Sequence, residues 1–117
     1  MKKVLVCGGR DYDDWGVLYD TLYDLLEDGP IVIIQGGAKG ADFLAKVWAK
    51  HMIQESHEYP ANWKTYGKRA GSVRNQQMLD EGKPDLVVAF QGGHGTADMV
   101  RRARKAGVEV LIVGENS

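Results

Sequence analysis

The stretch IIQGGAKGAD, residues 33–42, passes from apolar side chains through paired glycines into a polar run. A similar order recurs in VVAFQGGHGTAD, residues 87–98, and a third glycine pair follows the apolar run near the start of the chain. An apolar run that ends in glycines and then takes up helical spacing is typical of a buried parallel strand that turns directly into a helix. These stretches therefore predict an α/β fold.

Five short runs have strand character, and helical spacing of apolar residues fills most of the chain between them. Strands are predicted at residues 3–7, 31–34, 57–59, 86–90 and 108–113, of which the run at 57–59 is weak and the other four are apolar enough to be covered on both faces. Helices are predicted at about 15–26, 41–52, 70–81 and 96–106. The alternation predicts a Rossmann-like, three-layer αβα sandwich with a five-stranded, mainly parallel sheet.

The composition is that of one ordinary folded domain. The 117 residues, 44% of them hydrophobic and 26% charged, predict a single domain spanning residues 1–117. Fifteen basic residues oppose sixteen acidic ones, so no global field draws the chain onto nucleic acid or an anionic membrane. The single cysteine excludes an internal disulfide and a multi-cysteine zinc site.

The same sequence features indicate where the protein is located and whether it binds a metal ion. The first apolar run, residues 4–7, is too short for the core of a signal peptide, and no stretch approaches the ~20 apolar residues of a membrane span. The expected location is therefore the cytoplasm, without membrane contact. The three histidines lack the spacing of metal ligands, so we expect neither a metal ion nor another cofactor.

Three glycine-rich strand ends form the candidate site. In sheets of this kind ligands bind beyond the carboxyl ends of the strands, where glycines let backbone N–H groups approach an anion at a helix N-terminus. The alternative is that the glycines only make tight turns, but three such loops at one edge favour phosphate binding. The predicted phosphate-binding residues are Gly8, Gly9, Gly36, Gly37, Ala38, Gly40, Gly92, Gly93, Gly95 and Thr96. Neither G-x-G-x-x-G nor a Walker loop is present, which disfavours dinucleotide-dependent dehydrogenases and ATPases.

The motifs of the chain are those of a known family. GGRDYDD at residues 8–14, GGAKGAD at 36–42, PANWKTYGKRAGSVRNQQM at 60–78 and GGHGTADM at 92–99 together resemble the YspA-like, cpYpsA-related branch of the SLOG superfamily. The resemblance extends from Val4 to Val113. It implies a Rossmann-like fold that binds a nucleotide or nucleotide-derived small molecule, often as a sensor or effector in bacterial and phage conflict systems. It also implies a homo-oligomer, most simply a dimer, for which Tyr19 and Tyr23 are candidate interface residues.

The resemblance also implies roles for several side chains. Arg10 and Arg74 would grip phosphate through their guanidinium groups. Asn75 would offer its amide to a ribose or base. Asp42 would either accept a hydrogen bond from a ribose hydroxyl or lie in the first turn of its helix.

The motif PANW supplies the remaining candidates. Its last two residues, Asn62 and Trp63, belong to the predicted ligand site. Trp63 would either stack on a base or pack against the protein.

The residue at position 99 disfavours catalysis of the phosphoribohydrolase kind. The related lonely-guy phosphoribohydrolases carry a loop resembling G-G-x-G-T-x-x-E, and here Met99 occupies the glutamate position. Asp98, one residue earlier, points about 100° away on a helix and also fits as a favourable charge in the first turn. Binding without cleavage is therefore preferred, and a nucleotide N-glycosidase using Asp98 or Asp42 is the alternative. A third possibility is single-stranded nucleic-acid binding through the basic run at residues 101–105, which the balanced net charge disfavours.

Overall fold

The chain alternates strands and helices from end to end in the computed structural model, which describes residues 1–114. The strands are β1 (Lys2–Cys7), β2 (Ile31–Gln35), β3 (Glu55–Glu58), β4 (Leu86–Ala89) and β5 (Glu109–Ile112). The helices are α1 (Trp15–Asp24), α2 (Ala41–His51), α3 (Trp63–Tyr66), α4 (Ala70–Gln77) and α5 (His94–Lys105). Short 3₁₀ turns cover Leu25–Asp28 and Gly67–Arg69, and a π-helical turn over Met78–Gly82 extends α4. The predicted α/β class is confirmed.

All four strand pairings are parallel, in the order β3-β2-β1-β4-β5. The chain moves from β1 outward to β2 and β3, then returns across the sheet to β4 and β5. The strand order therefore reverses between β1 and β4, where Val4 lies beside Leu86. Crevices for ligands form at such reversals, beyond the carboxyl ends of the strands.

Helices cover both faces of the sheet. On one face α1 and α2 bury Leu18, Leu22 and Trp48 against alternate residues of β1, β2 and β4. On the other face α4, its π-helical extension and α5 bury Met78 and Met99 against the intervening residues of the same strands. Because side chains of a strand alternate between faces, each central strand feeds both cores, and the three-layer sandwich is confirmed.

The two edge strands differ from the three central ones. All four residues of β3 are exposed, in keeping with its polar sequence ESHE. In β5 exposed and half-buried residues alternate, and Leu111 is 41% exposed. The prediction that β5 is covered on both faces is wrong, because β5 is the outer strand of the sheet.

The first helix and the last helix begin differently. Asp14 caps α1, and its Oδ1 accepts a hydrogen bond from the N–H of Val17 at 3.1 Å. Helix α5 begins at His94, two residues earlier than predicted, so Thr96 lies inside its first turn and Gly93 is its N-cap residue. Of the two tyrosines proposed for an interface, Tyr19 is half-buried and only Tyr23 is exposed.

Glycines allow the strand-end loops to touch one another. Gly40 has a φ of 76°, and a Cβ there would overlap the carbonyl oxygen of Gly9. The same carbonyl accepts a hydrogen bond from the N–H of Ala41 at 3.2 Å, which joins the start of α2 to the loop after β1. Any side chain at position 40 would therefore separate two of the three loops.

We predict that Gly40→Ala lowers the free energy of unfolding by about 3 kcal/mol or more, because it combines a steric overlap with backbone strain. Gly29→Ala is the matched control, since Gly29 also has a positive φ, of 113°, but a Cβ there meets nothing within 4 Å. The control should cost roughly 1 to 2 kcal/mol. Urea unfolding at equal m-values measures both, and equal losses would contradict the proposed loop contact.

Candidate ligand site at the carboxyl edge of the sheet

A cavity of about 680 Å³ opens at the reversal of strand order, bounded by the loops after β1 and β4 and by the start of α3 and one face of α4. This volume lies within the usual range of small-molecule sites. It brings together twelve predicted residues: Gly8, Gly9, Arg10, Ala38, Asp42, Trp63, Arg74, Asn75, Gly93, Gly95, Thr96 and Asp98. We call it the edge cavity.

The other predicted site residues lie outside this lining within the part of the chain that the structure describes. They are Gly36, Gly37, Gly40, Asn62 and Gly92. Asn62 instead caps α3, where its Oδ1 accepts a hydrogen bond from the N–H of Thr65 at 3.0 Å. Gly92 lines two neighbouring cavities beyond the edge cavity.

The backbone N–H groups of the second glycine loop already donate to acceptors within the protein. Oδ2 of Asp42 accepts hydrogen bonds from the N–H groups of Gly36, at 3.0 Å, and Ala38, at 3.3 Å. The N–H of Gly37 donates to Oε1 of Gln35 at 2.6 Å. A phosphate could use these amides only by displacing the two side chains.

The carboxyl of Asp42 is held in an unusual setting. Burial raises its pKa, and the N–H groups of Ala38 and Gly36 together with the charge of Arg74 oppose that rise only in part. The net pKa lies above the ordinary value. Asp42 therefore serves as an internal acceptor for the loop from the first turn of α2, and it also lines the edge cavity, so its contact with a ribose hydroxyl stays a prediction.

The N-terminus of α5 is open by contrast. Its N-cap residue, Gly93, makes no side-chain hydrogen bond to the helix. Gly93, His94 and Gly95 are exposed, and a Cβ at either glycine would meet nothing within 4 Å. The N–H groups of a first helical turn have no acceptor within their own helix, so this turn offers donors and a positive dipole end to the edge cavity.

Four cationic side chains line the edge cavity: Arg10, Lys68, Arg74 and Arg101. Arg74 is the one fixed most firmly, because Nη1 donates to the carbonyl of Gly36 at 2.5 Å and Nε donates to Oδ1 of Asn75 at 3.1 Å. Burial lowers its pKa, the charge of Asp42 raises it, and the charge of Arg10 lowers it. A guanidinium remains protonated in proteins, so Arg74 presents a desolvated positive charge.

Arg10 and Trp63 meet at the mouth of the cavity. The guanidinium carbon of Arg10 lies 5.7 Å from the centre of the Trp63 ring, within the range of a cation–π contact. Trp63 is 50% exposed, so it is not a core residue. The contact links the loop after β1 to the start of α3.

Asp98 is engaged with neighbouring cations. It forms ion pairs with Arg101 at 2.5 Å and Arg102 at 2.9 Å, and it accepts a hydrogen bond from Asn75 at 3.0 Å. Burial raises its pKa, but the hydrogen bonds and charges of these neighbours outweigh burial and leave the pKa below the ordinary value. Asp98 is therefore an ionised structural partner, and the adjacent Met99 is fully buried in the core.

Several residues of the edge cavity were missed in the sequence. The turn before α4, one face of α4 and the π-helical turn after it supply Lys68, Gly71, Ser72 and Met78. Their spacing, at i, i+3, i+4 and i+10, places them on the helix face that also carries Asn75, so helical periodicity could have found them. Cys7 also lines the cavity, and burial, reinforced by the charge of Asp42, raises its pKa to about 12. It therefore remains a protonated thiol.

Residues 1–114 contain neither a cluster of metal-binding side chains nor a membrane-spanning helix. This range holds no group of three or more histidine, cysteine or acidic side chains arranged to bind a metal ion. Within the same range, no helix has the length and apolar character needed to cross a membrane.

Comparisons with known proteins agree on family and fold. The Gene 61 protein of Mycobacterium phage D29 is 38% identical over an alignment of 124 residues, and the alignment covers 98% of this chain and 98% of the phage protein. DNA processing protein A (DprA) from Streptococcus pneumoniae superposes with a TM-score of 0.78 at 17% identity, over 96% of this chain and 50% of its own. MurG from Acinetobacter baumannii gives a TM-score of 0.61 at 13% identity, over 96% of this chain and 34% of its own. This chain thus spans about half of DprA, and at such low identities the two structural matches show the fold alone.

The family itself is identified by sequence. The profile of the YspA, cpYpsA-related SLOG family matches residues 2–66, more than half of the chain and the part that contains the first two glycine loops. The phage relative supports the same assignment over nearly the whole length. The protein belongs to the YspA, cpYpsA-related SLOG family.

Proposed function

We propose that this protein binds a nucleotide or nucleotide-derived small molecule in the edge cavity and serves as a sensing or sequestering module in phage or bacterial biology. The observation that carries the proposal is the uncapped N-terminus of α5, which opens onto the same cavity as the guanidinium of Arg74. Free amides, a helix dipole and a fixed cation at one place suit a phosphate group. Membership of the SLOG family and the similarity to a phage protein support the nucleotide class.

The proposed ligand lies across two loops and not three. Its phosphate would accept hydrogen bonds from the first turn of α5, near Gly93 and Gly95, and from the Nη2 group of Arg74. Its base would extend toward Trp63, which offers a half-exposed aromatic face. The second glycine loop would support the site indirectly, because Asp42 occupies its amides.

The carboxylates favour binding over cleavage. A general acid for glycosidic cleavage must carry a proton near neutral pH, whereas the pKa of Asp98 is lowered by its neighbours. Asp42 has a raised pKa, but it is buried and holds two backbone amides. Incubation with a panel of nucleoside monophosphates followed by chromatography tests this, and release of free base would contradict binding without cleavage.

A second candidate function, binding of single-stranded nucleic acid, is favoured by the segregation of charge. Residues 11–28 contain seven acidic and no basic side chains, whereas residues 59–79 contain four basic and no acidic ones. The basic segment also exposes Trp63 and Tyr66, and alternating cations and aromatics are typical of surfaces that bind single strands. The run at residues 101–105 is a poorer candidate, because Arg101 and Arg102 pair with Asp98.

For the first function we predict that Arg74→Ala weakens binding of adenosine 5′-monophosphate by ~1.5 to 3 kcal/mol, the scale of a charge-assisted hydrogen bond. Isothermal titration calorimetry measures the loss, and thermal unfolding should show that the variant remains folded. An unchanged affinity would remove Arg74 from the site.

We also predict that Gly95→Val reduces nucleotide affinity at least ~10-fold, because its side chain would fill open space in front of the α5 amides. Gly16→Val is the matched control: Gly16 is the second residue of α1 as Gly95 is of α5, and it does not line the edge cavity. The control should bind like the wild type. Equal affinities for both variants would place the ligand elsewhere.

For the second function, a fluorescent oligothymidylate should bind with an affinity that falls steeply with salt concentration. Tyr66→Ala should weaken this binding by roughly 1 to 3 kcal/mol through lost stacking, whereas Tyr23→Ala on the acidic helix α1 should have no effect. Tyr66 does not line the edge cavity, so its variant should bind adenosine 5′-monophosphate normally. Equal effects of the two tyrosine variants would contradict this surface.

A further inference from the structure

The amide of Asn75 connects the two parts of the proposed anion site. The residue lies on α4, is only 5% exposed, and uses both ends of its side chain. Its Oδ1 accepts a hydrogen bond from Nε of Arg74 at 3.1 Å. Its Nδ2 donates to the carbonyl of Gly95 at 3.2 Å and to Oδ2 of Asp98 at 3.0 Å.

We infer that Asn75 is a positioning residue: it aims the guanidinium of Arg74 at the anion, without contacting the ligand. This inference rests on the proposed function, since it concerns the same cavity. It replaces the expectation that Asn75 offers its amide to a ribose or base. Both N–H donors of that amide already have protein acceptors.

The hydrogen bonds define one orientation of the amide. With Nδ2 toward α5, it faces two acceptors, the carbonyl of Gly95 and the carboxylate of Asp98. The reversed amide would direct its oxygen at these acceptors and its NH₂ group at the Nε–H of Arg74, so all three hydrogen bonds would be lost. Asp98 therefore determines which end of Asn75 meets Arg74.

Positioning by Asn75 lowers the entropic cost of anion binding by Arg74, because an unrestrained arginine side chain loses many rotamers when it binds an anion. Here Nη1 donates to the carbonyl of Gly36 and Nε donates to Asn75, so Nη2 is the nitrogen that would meet the ligand under this proposal. A guanidinium already fixed by the protein loses less entropy when it binds. Asp98 is in turn held by Arg102, which also donates to Gln76 at 3.0 Å, so the network joins α4 to α5 at two places.

A double-mutant cycle in adenosine 5′-monophosphate binding tests the inference. Asn75→Ala should weaken binding roughly 10-fold in the wild-type background but by no more than about 2-fold in the Arg74→Ala background, because its effect is transmitted through Arg74. Equal losses in both backgrounds would mean that Asn75 contacts the ligand itself, and the inference would be overturned.

A second test exchanges the amide of Asn75 and the carboxylate of Asp98, so that both positions keep a polar side chain. Asn75→Asp keeps an acceptor for Arg74 but places a carboxylate against Asp98, so affinity should fall. Adding Asp98→Asn restores a donor between the two positions and should recover at least half of the lost binding free energy. A double variant that binds no better than Asn75→Asp would contradict the positioning role.

A readout without ligand separates this inference from the proposed function. The Nε–H proton of Arg74 should exchange slowly with solvent in the wild type and rapidly in Asn75→Ala, which removes its acceptor, whereas Arg69→Ala should leave it slow. Should the wild type bind no nucleotide, the proposed function fails while this exchange measurement still decides the positioning. Unchanged exchange in Asn75→Ala would refute it.

Discussion

Each backbone N–H at the carboxyl edge of the sheet either finds an acceptor within the protein or stays open to a ligand, and this division determines the site. The loop after β2 satisfies its amides internally, through Asp42 and Gln35. The first turn of α5 has no side-chain cap. Two loops that look alike in sequence therefore have different roles, because an unpaired amide retains its capacity to bind an anion and a paired one does not.

The close contact of the loops also depends on backbone geometry. Gly40 takes a positive φ and lies against the backbone of Gly9, where any side chain would collide. This glycine belongs to the predicted phosphate-binding set, yet it acts by letting α2 begin beside the loop after β1. Gly93 and Gly95, by contrast, have open space where a Cβ would be, so their lack of a side chain leaves room for a ligand.

The sequence predicted the fold well because apolar runs and glycine-terminated strands depend on local pattern. The site at the carboxyl edge, predicted from the glycine-rich strand ends, and the role of Arg74, predicted from motif resemblance, stay predictions, although the structure places these residues around one cavity. The sequence could not predict that Asp42 bonds to Gly36, since that contact depends on side-chain direction at the start of α2. The hydrogen bonds of Asn75 were also hidden, because its partners Gly95 and Asp98 lie 20 and 23 residues away on another helix.

Balanced net charge proved a poor guide to the surface. A chain with a formal charge of −1 still separates an acidic first helix from a basic segment around α3 and α4. Local fields act over about a Debye length of ~8 to 10 Å, so a ligand at the edge cavity responds mainly to the charges that line it. These are Arg10, Lys68, Arg74 and Arg101, opposed by Asp42 and Asp98. The distribution of charge along the sequence is therefore a better guide to the edge than the net charge.

The most direct test of this account is a titration of ¹⁵N-labelled protein with adenosine 5′-monophosphate, followed by two-dimensional NMR. The amides of residues 94–96 should shift strongly and saturate, while those of Gly36 and Ala38 should change little because Asp42 retains them. Large chemical-shift changes at Gly36 and Ala38, with unchanged amide shifts at residues 94–96, would contradict the account, because they would place the ligand on the second glycine loop and not on α5.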